Sequence, residues 1–296
     1  MLMKVVNKIN RAVNIVLRLE SYIDFITTKQ KLTSEVFESL SNLVEINKTN
    51  EPDLIVSLTT YDKRIHDVHL VIESIGKQSI KANRIILWLD ESEFTKDSIP
   101  KALEMQVKRG LEICFCENYR SYKKLIPTLS LYPSADIITV DDDIIYPYDM
   151  IEIMRKEQLD NPDCVIANMT HKMSWENGKI SPYKEWEFDS DDFDSGYDVF
   201  PVGAGGILYP SGVLSEVCTK VELFTKLAPE ADDVWFKAMS IINNKKSKKI
   251  KDTRKFTSRF ITISDSQDIG LYNHNLINSR NDKQISLVFE YLNIAK

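Results

Sequence analysis

The chain has 296 residues, 43% hydrophobic and 28% charged, and its 38 Lys and Arg against 44 Asp and Glu give a formal charge of −6. That length buries a full core without disulfide or metal staples, and a pI near 5.4 excludes a general nucleic-acid coat, which needs a basic field. Nine glycines and ten prolines exclude a disordered chain and a fibrous repeat.

Residues 1–50 read as an N-terminal helical extension. Leu2, Val6, Ile9, Val13, Val16 and Ile23 step by four and three, interrupted at Glu20, and Lys4, Lys8, Arg11 and Arg18 are the only charges before Glu20. Such a helix suits its own domain or a sister chain in a homo-oligomer, an anionic membrane surface, or a removable targeting role. A second helical pattern is expected after Ser34, through Val36, Phe37, Leu40, Leu43 and Val44. Residues 47–52 then read as a linker.

From residue 53 apolar strands alternate with helical stretches. Strands are expected at 54–58, 84–89, 111–116 and 136–140, with helices near 66–78, 99–109 and 121–131. This rhythm predicts an α/β fold, a Rossmann-like, mostly parallel sheet flanked by helices. Its ligand crevice should lie beyond the carboxyl ends of the strands. Thr59, Tyr61, Arg64, Asp90 and Asp141–Asp143 stand there. Beyond residue 160 the pattern loosens. Strands are expected at 164–169, 199–209 and 260–263, helices at 231–242 and 285–292, and an acidic, aromatic loop at 170–198. One domain over 51–296 follows, with a nucleotide-binding half at 53–147 and an acceptor half at 148–296.

Cys114, Cys116, Cys164 and Cys218 lack zinc-finger spacing and read as buried, reduced thiols. No apolar run approaches the roughly 20 residues of a membrane span, and no signal-peptide pattern opens the chain. The expectation is a cytoplasmic protein, free or peripheral on the inner face of the membrane.

Three motifs stand out as chemistry. Asp141-Asp142-Asp143 follows an apolar strand; strand alternation would turn Asp141 and Asp143 the same way, toward one divalent ion. A helix cap or solvated turn is the plainer alternative. Asp232-Asp233 opens a helix, either complementing its dipole or supplying a general base. Gly203-Ala204-Gly205-Gly206 marks a strand bulge or a close backbone approach to substrate. Arg64, Lys123 and Lys124 suit phosphate or a solvated surface. Lys245-Lys246-Ser247-Lys248-Lys249-Ile250-Lys251 suits a solvated loop, anionic lipid or a phosphate-bearing acceptor. His274 is a further metal-ligand candidate in a polar stretch.

Taken together, these motifs resemble family-2-like glycosyltransferases of bacterial surface-polysaccharide clusters (capsule, O-antigen or lipooligosaccharide). The resemblance rests on Ile55-Val56-Ser57-Leu58-Thr59-Thr60-Tyr61-x-x-Arg64, Ser121-Tyr122-Lys123-Lys124-Leu125-Ile126-Pro127 and Ile138-Thr139-Val140-Asp141-Asp142-Asp143-Ile144-Ile145-Tyr146-Pro147. Gly203-x-Gly205-Gly206-x-Leu208-Tyr209-Pro210, Leu227-Ala228-Pro229-x-Ala231-Asp232-Asp233-x-Trp235 and Asn281-Asp282-Lys283-Gln284 extend it over residues 53–293. It implies a GT-A fold, a nucleoside-diphosphate sugar donor (a UDP-sugar first), a glycan or lipid-linked acceptor, and Mn2+ or Mg2+. By that likeness Asp141 and Asp143 hold the metal and Asp90 contacts the nucleotide base; the likeness does not extend a role to His274. Thr59, Tyr61, Arg64, Lys124, Asp142, Gly205 and Gly206 line the donor site. Asp233 is the base of an inverting transfer, with Asp232 beside it where the family usually has glutamate. Two other functions compete: an aspartate-dependent phosphohydrolase, and a non-catalytic sugar- or membrane-binding scaffold.

Overall fold

The computed structural model describes residues 2–45, 53–263 and 280–294, with side chains from Leu19 onward except Arg280. His274 lies outside the described residues. A seven-stranded sheet forms the centre, built from β1 (Leu54–Thr59), β2 (Arg84–Asp90), β3 (Leu111–Cys116), β4 (Asp136–Thr139), β6 (Val165–Lys172), β9 (Val199–Tyr209) and β10 (Ser247–Lys249). Two small antiparallel pairs accompany it: β5 (Ile144–Ile145) with β11 (Ile261–Thr262), and β7 (Trp175–Glu176) with β8 (Lys179–Ile180). The fold is α/β and Rossmann-like, as the alternation predicts.

The sheet runs β10-β6-β9-β4-β1-β2-β3. Every neighbouring pair is parallel except those of β9, which is antiparallel to both β4 and β6. Along β1 the side chains alternate between two cores, Leu54, Val56 and Leu58 on one face and Ile55 on the other. Burial on both faces is why these strands read as unbroken apolar runs. Helices α1 (Leu2–Glu38), α2 (Val68–Gly76), α3 (Lys101–Val107) and α5 (Met150–Asp160) cover the first face through Leu32, Leu70, Leu103 and Met154. Helices α4 (Ile126–Leu131), α6 (Val221–Leu227), α7 (Asp232–Ile242) and Arg280–Tyr291 cover the second through Ile126, Phe224, Trp235 and Val288.

The structure departs from expectation in three places. Helix α1 runs unbroken through Ser34, so residues 34–38 continue it and form no second helix. Its last turns and the loop after it belong to the core. Val36 and Leu43 are fully buried, and Arg109 donates to the carbonyls of Glu35 and Ser41 while gripping the Glu73 carboxylate with both terminal nitrogens. The lysine run is a solvated loop only at its ends, where Lys246 and Lys251 are exposed. Ser247–Lys249 is strand β10, where Lys249 pairs with Asp189 and Lys248 with Glu157; Lys245, just before it, pairs with Asp163. The stretch 170–198 contains a hairpin as well as loop: Asn177 and Gly178, both at positive φ, turn β7 into β8.

Strand order places the crevice. The chain steps outward from β1 to β2 and β3, then returns to lay β4 on the opposite side of β1. The loops leaving β1 and β4 therefore diverge at the switch point, where open α/β sheets bind ligands. Thr59–Arg64 leaves β1 there, and Asp141–Asp143 leaves β4.

Candidate active site

Strand β4 ends at Thr139, so the three aspartates sit in the turn leading to β5 rather than on alternating strand positions. They consequently do not all face one partner: Asp142 and Asp143 meet Arg64, and Asp141 meets Lys124. Asp142 turns inward, accepting from Arg64 Nη1 at 2.6 Å and from Thr60 Oγ1 at 2.6 Å. Burial pushes its carboxyl up to about 6, although Arg64 and Thr60 pull the other way. Asp143 Oδ2 lies 3.1 Å from Arg64 Nη2. Asp141 faces the other side, 3.1 Å from Lys124 Nζ, and its backbone N–H donates to the buried Tyr146 hydroxyl.

The second acidic motif arrives on α7. Tyr122 stacks on Phe224 with ring centroids 4.2 Å apart, and its hydroxyl donates to the Ala228 carbonyl at 2.6 Å. That clamp ties the Tyr122-Lys123-Lys124 segment to the loop that delivers Asp232 and Asp233. Lys124 Nζ then lies 3.2 Å from Asp232 Oδ2 while still touching Asp141. The paired carboxylates hold its ammonium well above the ordinary lysine value despite burial, which alone would lower it. Asp233 Oδ2 accepts the Gly203 N–H at 2.9 Å, and its Oδ1 has no hydrogen-bond partner among the described residues. Burial, reinforced by the neighbouring Asp232 charge, raises the Asp233 carboxyl well above the usual carboxylate range; Lys124 and the Gly203 N–H offset only part of this. A carboxyl raised in this way is suited to taking a proton near neutral pH.

The remaining predicted donor residues divide. Tyr61 lies under the Arg64 guanidinium, 5.1 Å from ring centroid to Cζ, on the crevice side of β1. Thr59 Oγ1 donates to the Trp88 carbonyl across the sheet. Arg64 and Asp142 are nearly buried against one another, so they frame the crevice. Asp90 is also buried; Ser92 closes on its Oδ1 through N–H and hydroxyl, and Lys123 Nζ lies 3.7 Å from its Oδ2. Burial would raise that carboxyl, but Ser92 and Lys123 together hold it below the ordinary value. Gly205 and Gly206 both have positive φ, and a Cβ there would meet the Phe256 ring at 2.7 Å and the Thr139 carbonyl at 3.3 Å. Those glycines let β9 bulge against its own protein neighbours, so their close approach is internal. Gly203 is the motif's glycine that touches the site, a Cβ there falling 3.1 Å from Lys124 Nζ.

Sequence reasoning passed over Thr60, Tyr146 and the role of Gly203. Each is a neighbour of a motif residue, and each acts through a hydrogen bond that sequence spacing does not encode. All four cysteines are free thiols, Cys164 and Cys218 buried and Cys114 and Cys116 half-buried, and burial pushes the Cys116 thiol up to about 11.

Five carboxylates (Asp141, Asp142, Asp143, Asp232 and Asp233) thus gather around two cations, Arg64 and Lys124. The surplus of negative charge fits a hard divalent ion. Among the described residues no group of three Asp, Glu, His or Cys side chains could hold one. Asp141 and Asp143, 31% and 17% exposed in their side chains, remain the two candidate ligands, although they face Lys124 and Arg64 respectively rather than one point. Substrate phosphate and water would complete the shell, as magnesium prefers. No protein-family model matches the chain, and no curated protein matches it.

Proposed function

We propose that this protein is a metal-dependent glycosyltransferase, with a GT-A-type arrangement, that moves a sugar from a nucleoside-diphosphate sugar to a glycan or lipid-linked acceptor with inversion. The observation that carries this reading is Lys124, whose ammonium touches both Asp141 after β4 and Asp232 at the start of α7. One crevice thereby holds acids suited to a metal diphosphate and, beside them, a raised carboxyl suited to a base.

The division of labour follows from position. Asp141 and Asp143 would hold the divalent cation, which when bound neutralises charge gathering on the leaving diphosphate as a Lewis acid. Lys124 adds a fixed positive charge on the same side. Asp233 Oδ1 takes the proton of the acceptor hydroxyl as that oxygen attacks the anomeric carbon. The Gly203 N–H keeps the other carboxylate oxygen occupied, so the base presents one oxygen only. Arg64 and Thr60 lock the Asp142 side chain inward, which stiffens the turn carrying Asp141 and Asp143.

The test is donor titration beside transfer kinetics. Asp233→Asn should leave nucleotide-sugar binding nearly unchanged while transfer falls by roughly 10²–10⁴-fold, the usual worth of a positioned base. Asp141→Asn and Asp143→Asn should instead weaken donor binding, and chelator should imitate them until manganese or magnesium is restored. Full transfer in chelator would sink the metal assignment, and normal transfer by Asp233→Asn and Asp232→Asn alike would sink the base. Turnover of a phosphomonoester without sugar transfer would favour a phosphohydrolase.

A further inference from the structure

Helix α1 has a direction that matters. Going backward along it, Glu45 N–H donates to the Ala82 carbonyl just before β2, and Leu43 N–H to the Arg109 carbonyl just before β3. Glu35 then pairs with Lys77, one residue past the end of α2, and Lys29 with Asp67 at the start of α2. The starts of β2 and β3 lie at the edge of the sheet away from the crevice, whereas Asp67 closes the turn that follows Arg64. The helix therefore climbs toward the crevice edge, passing β11 beside the aspartate turn. Among the described side chains Phe25 is the first that is buried, and Leu19–Asp24 before it are all exposed. The remaining 23 residues, Leu2–Asp24, continue for about 34 Å at the rise of an α-helix, beyond the crevice side.

This outgoing segment is apolar and basic together. Leu19, Tyr22, Ile23 and Ile26 are 55%, 57%, 59% and 40% exposed, one stripe at helical spacing. At the same heptad positions the sequence upstream has Val5, Ile9, Ala12, Ile15 and Val16, with Lys8 among them, and Lys4, Arg11 and Arg18 recur every seventh residue. Apolar residues outnumber what a two-stranded seam uses, and all charges before Glu20 are positive. No described helix is long and apolar enough to cross a membrane. Glu20 and Asp24 follow Arg18, so the segment carries four cations against two acids; a broad apolar face with this net positive charge fits the interface of an anionic bilayer, in which the helix lies flat.

We propose that Leu2–Ile26 docks this protein on an anionic lipid surface, with the crevice held toward the membrane. The net charge of the segment, four cations against Glu20 and Asp24, favours that occupant over a second copy of the same sign. Resting on the transferase reading, the orientation further assigns the acceptor to the lipid-linked class, because the crevice mouth would open where such an acceptor is anchored.

The experiment is sedimentation of the full chain with vesicles of phosphatidylcholine alone and of equal phosphatidylcholine and phosphatidylglycerol. Binding is expected only to the anionic vesicles, weakening as salt rises. The combined variant Lys4→Gln, Arg11→Gln and Arg18→Gln should bind on the order of 100-fold more weakly, at the usual worth of a basic residue beside such a surface. Leu19→Ser, Tyr22→Ser, Ile23→Ser and Ile26→Ser together should abolish binding with the melting temperature unchanged. No sedimentation of the wild type, or equal sedimentation of both variants, overturns docking. So does a wild-type dimer in light scattering that the serine variant splits, which would make the occupant a second copy. Hydrogen exchange on the vesicles reads orientation: new protection is expected at residues 60–64 and none at 132–135, and the reverse overturns it. Vesicle binding uses no nucleotide, so docking that holds while every sugar donor fails leaves this surface standing and removes the transferase reading.

Discussion

The backbone N–H of Gly203 donates to Asp233 Oδ2 at 2.9 Å, so strand β9 sets the position of a carboxylate carried by helix α7. A Cβ at residue 203 would stand 3.1 Å from Lys124 Nζ and 3.3 Å from Asp233 Oδ1. Gly203→Ala should therefore displace a site side chain by a few tenths of an ångström without disturbing the sheet. The expected result is a loss of transfer with donor affinity and melting temperature close to wild type. Unchanged kinetics would separate Gly203 from the base.

Lys124 is buried between Asp141 and Asp232, and removing it would strand two carboxylates. Breaking a buried pair from one side commonly costs about 3–5 kcal/mol. Lys124→Met should lower stability by that order in urea unfolding. Adding Asp232→Asn should recover part of the loss, because neighbours in one network are not additive. Strict additivity of the two variants would show that the carboxylates do not feel the ammonium.

Lys237 lies on α7 with its side chain fully buried, its ammonium nitrogen 3.0 Å from Ser247 Oγ. Burial lowers it from 10.5 to about 7, only partly opposed by Asp198 and Cys164. The folded value is below the unfolded one, so between those values the unfolded chain binds the extra proton. Stability should rise as pH climbs from about 7 toward 10 and fall on the way back. Lys237→Met should melt higher than wild type at neutral pH, with the advantage shrinking as pH approaches 10. A constant difference across that range would contradict the burial.

Gly76 closes α2 directly beneath Leu43, and Gly110, at φ +106°, does the same beneath Val44. The loop after α1 is packed into spaces that exist because these residues have no side chain. Gly76→Ala should destabilise by about 1–3 kcal/mol through overpacking, and Leu43→Ala by about 2–5 kcal/mol through a cavity. Combined, they should cost less than the sum. Truncating residues 2–18 should leave the melting temperature in place, whereas removing 2–45 should unfold the domain.

The sheet was legible because its strands are buried on both faces and separated by helices of ordinary length. Leu54–Leu58 and Asp136–Val140 carry that signal with no help from the rest of the molecule. Strand β10 was not legible: Lys248 and Lys249 look solvated until Glu157 and Asp189, 91 and 60 residues away in sequence, arrive to neutralise them. The acids of the site were legible as clusters, but their orientation was not. Asp141 and Asp143 diverge because β4 stops at Thr139 and Arg64 and Lys124 pull from opposite sides. Of the two readings of the glycine run, the bulge describes Gly205 and Gly206, whose positive φ lies in the irregular stretch between β6 and β9.

Strand β9 joins the sheet between β4 and β6, and it is made about 60 residues after β4. Until it arrives, Ile137 and Ile138 present an apolar strand edge with unmet backbone groups, a template for pairing with another chain. The first half of the sheet is thus complete on the ribosome well before it is closed. Folding of this protein should be slow in its final step and prone to association during it, since pairing over that distance must wait for the chain. A fragment ending at residue 147 would keep that edge open permanently, and it should aggregate even though β1 to β4 could all pair in it as they do in the whole chain.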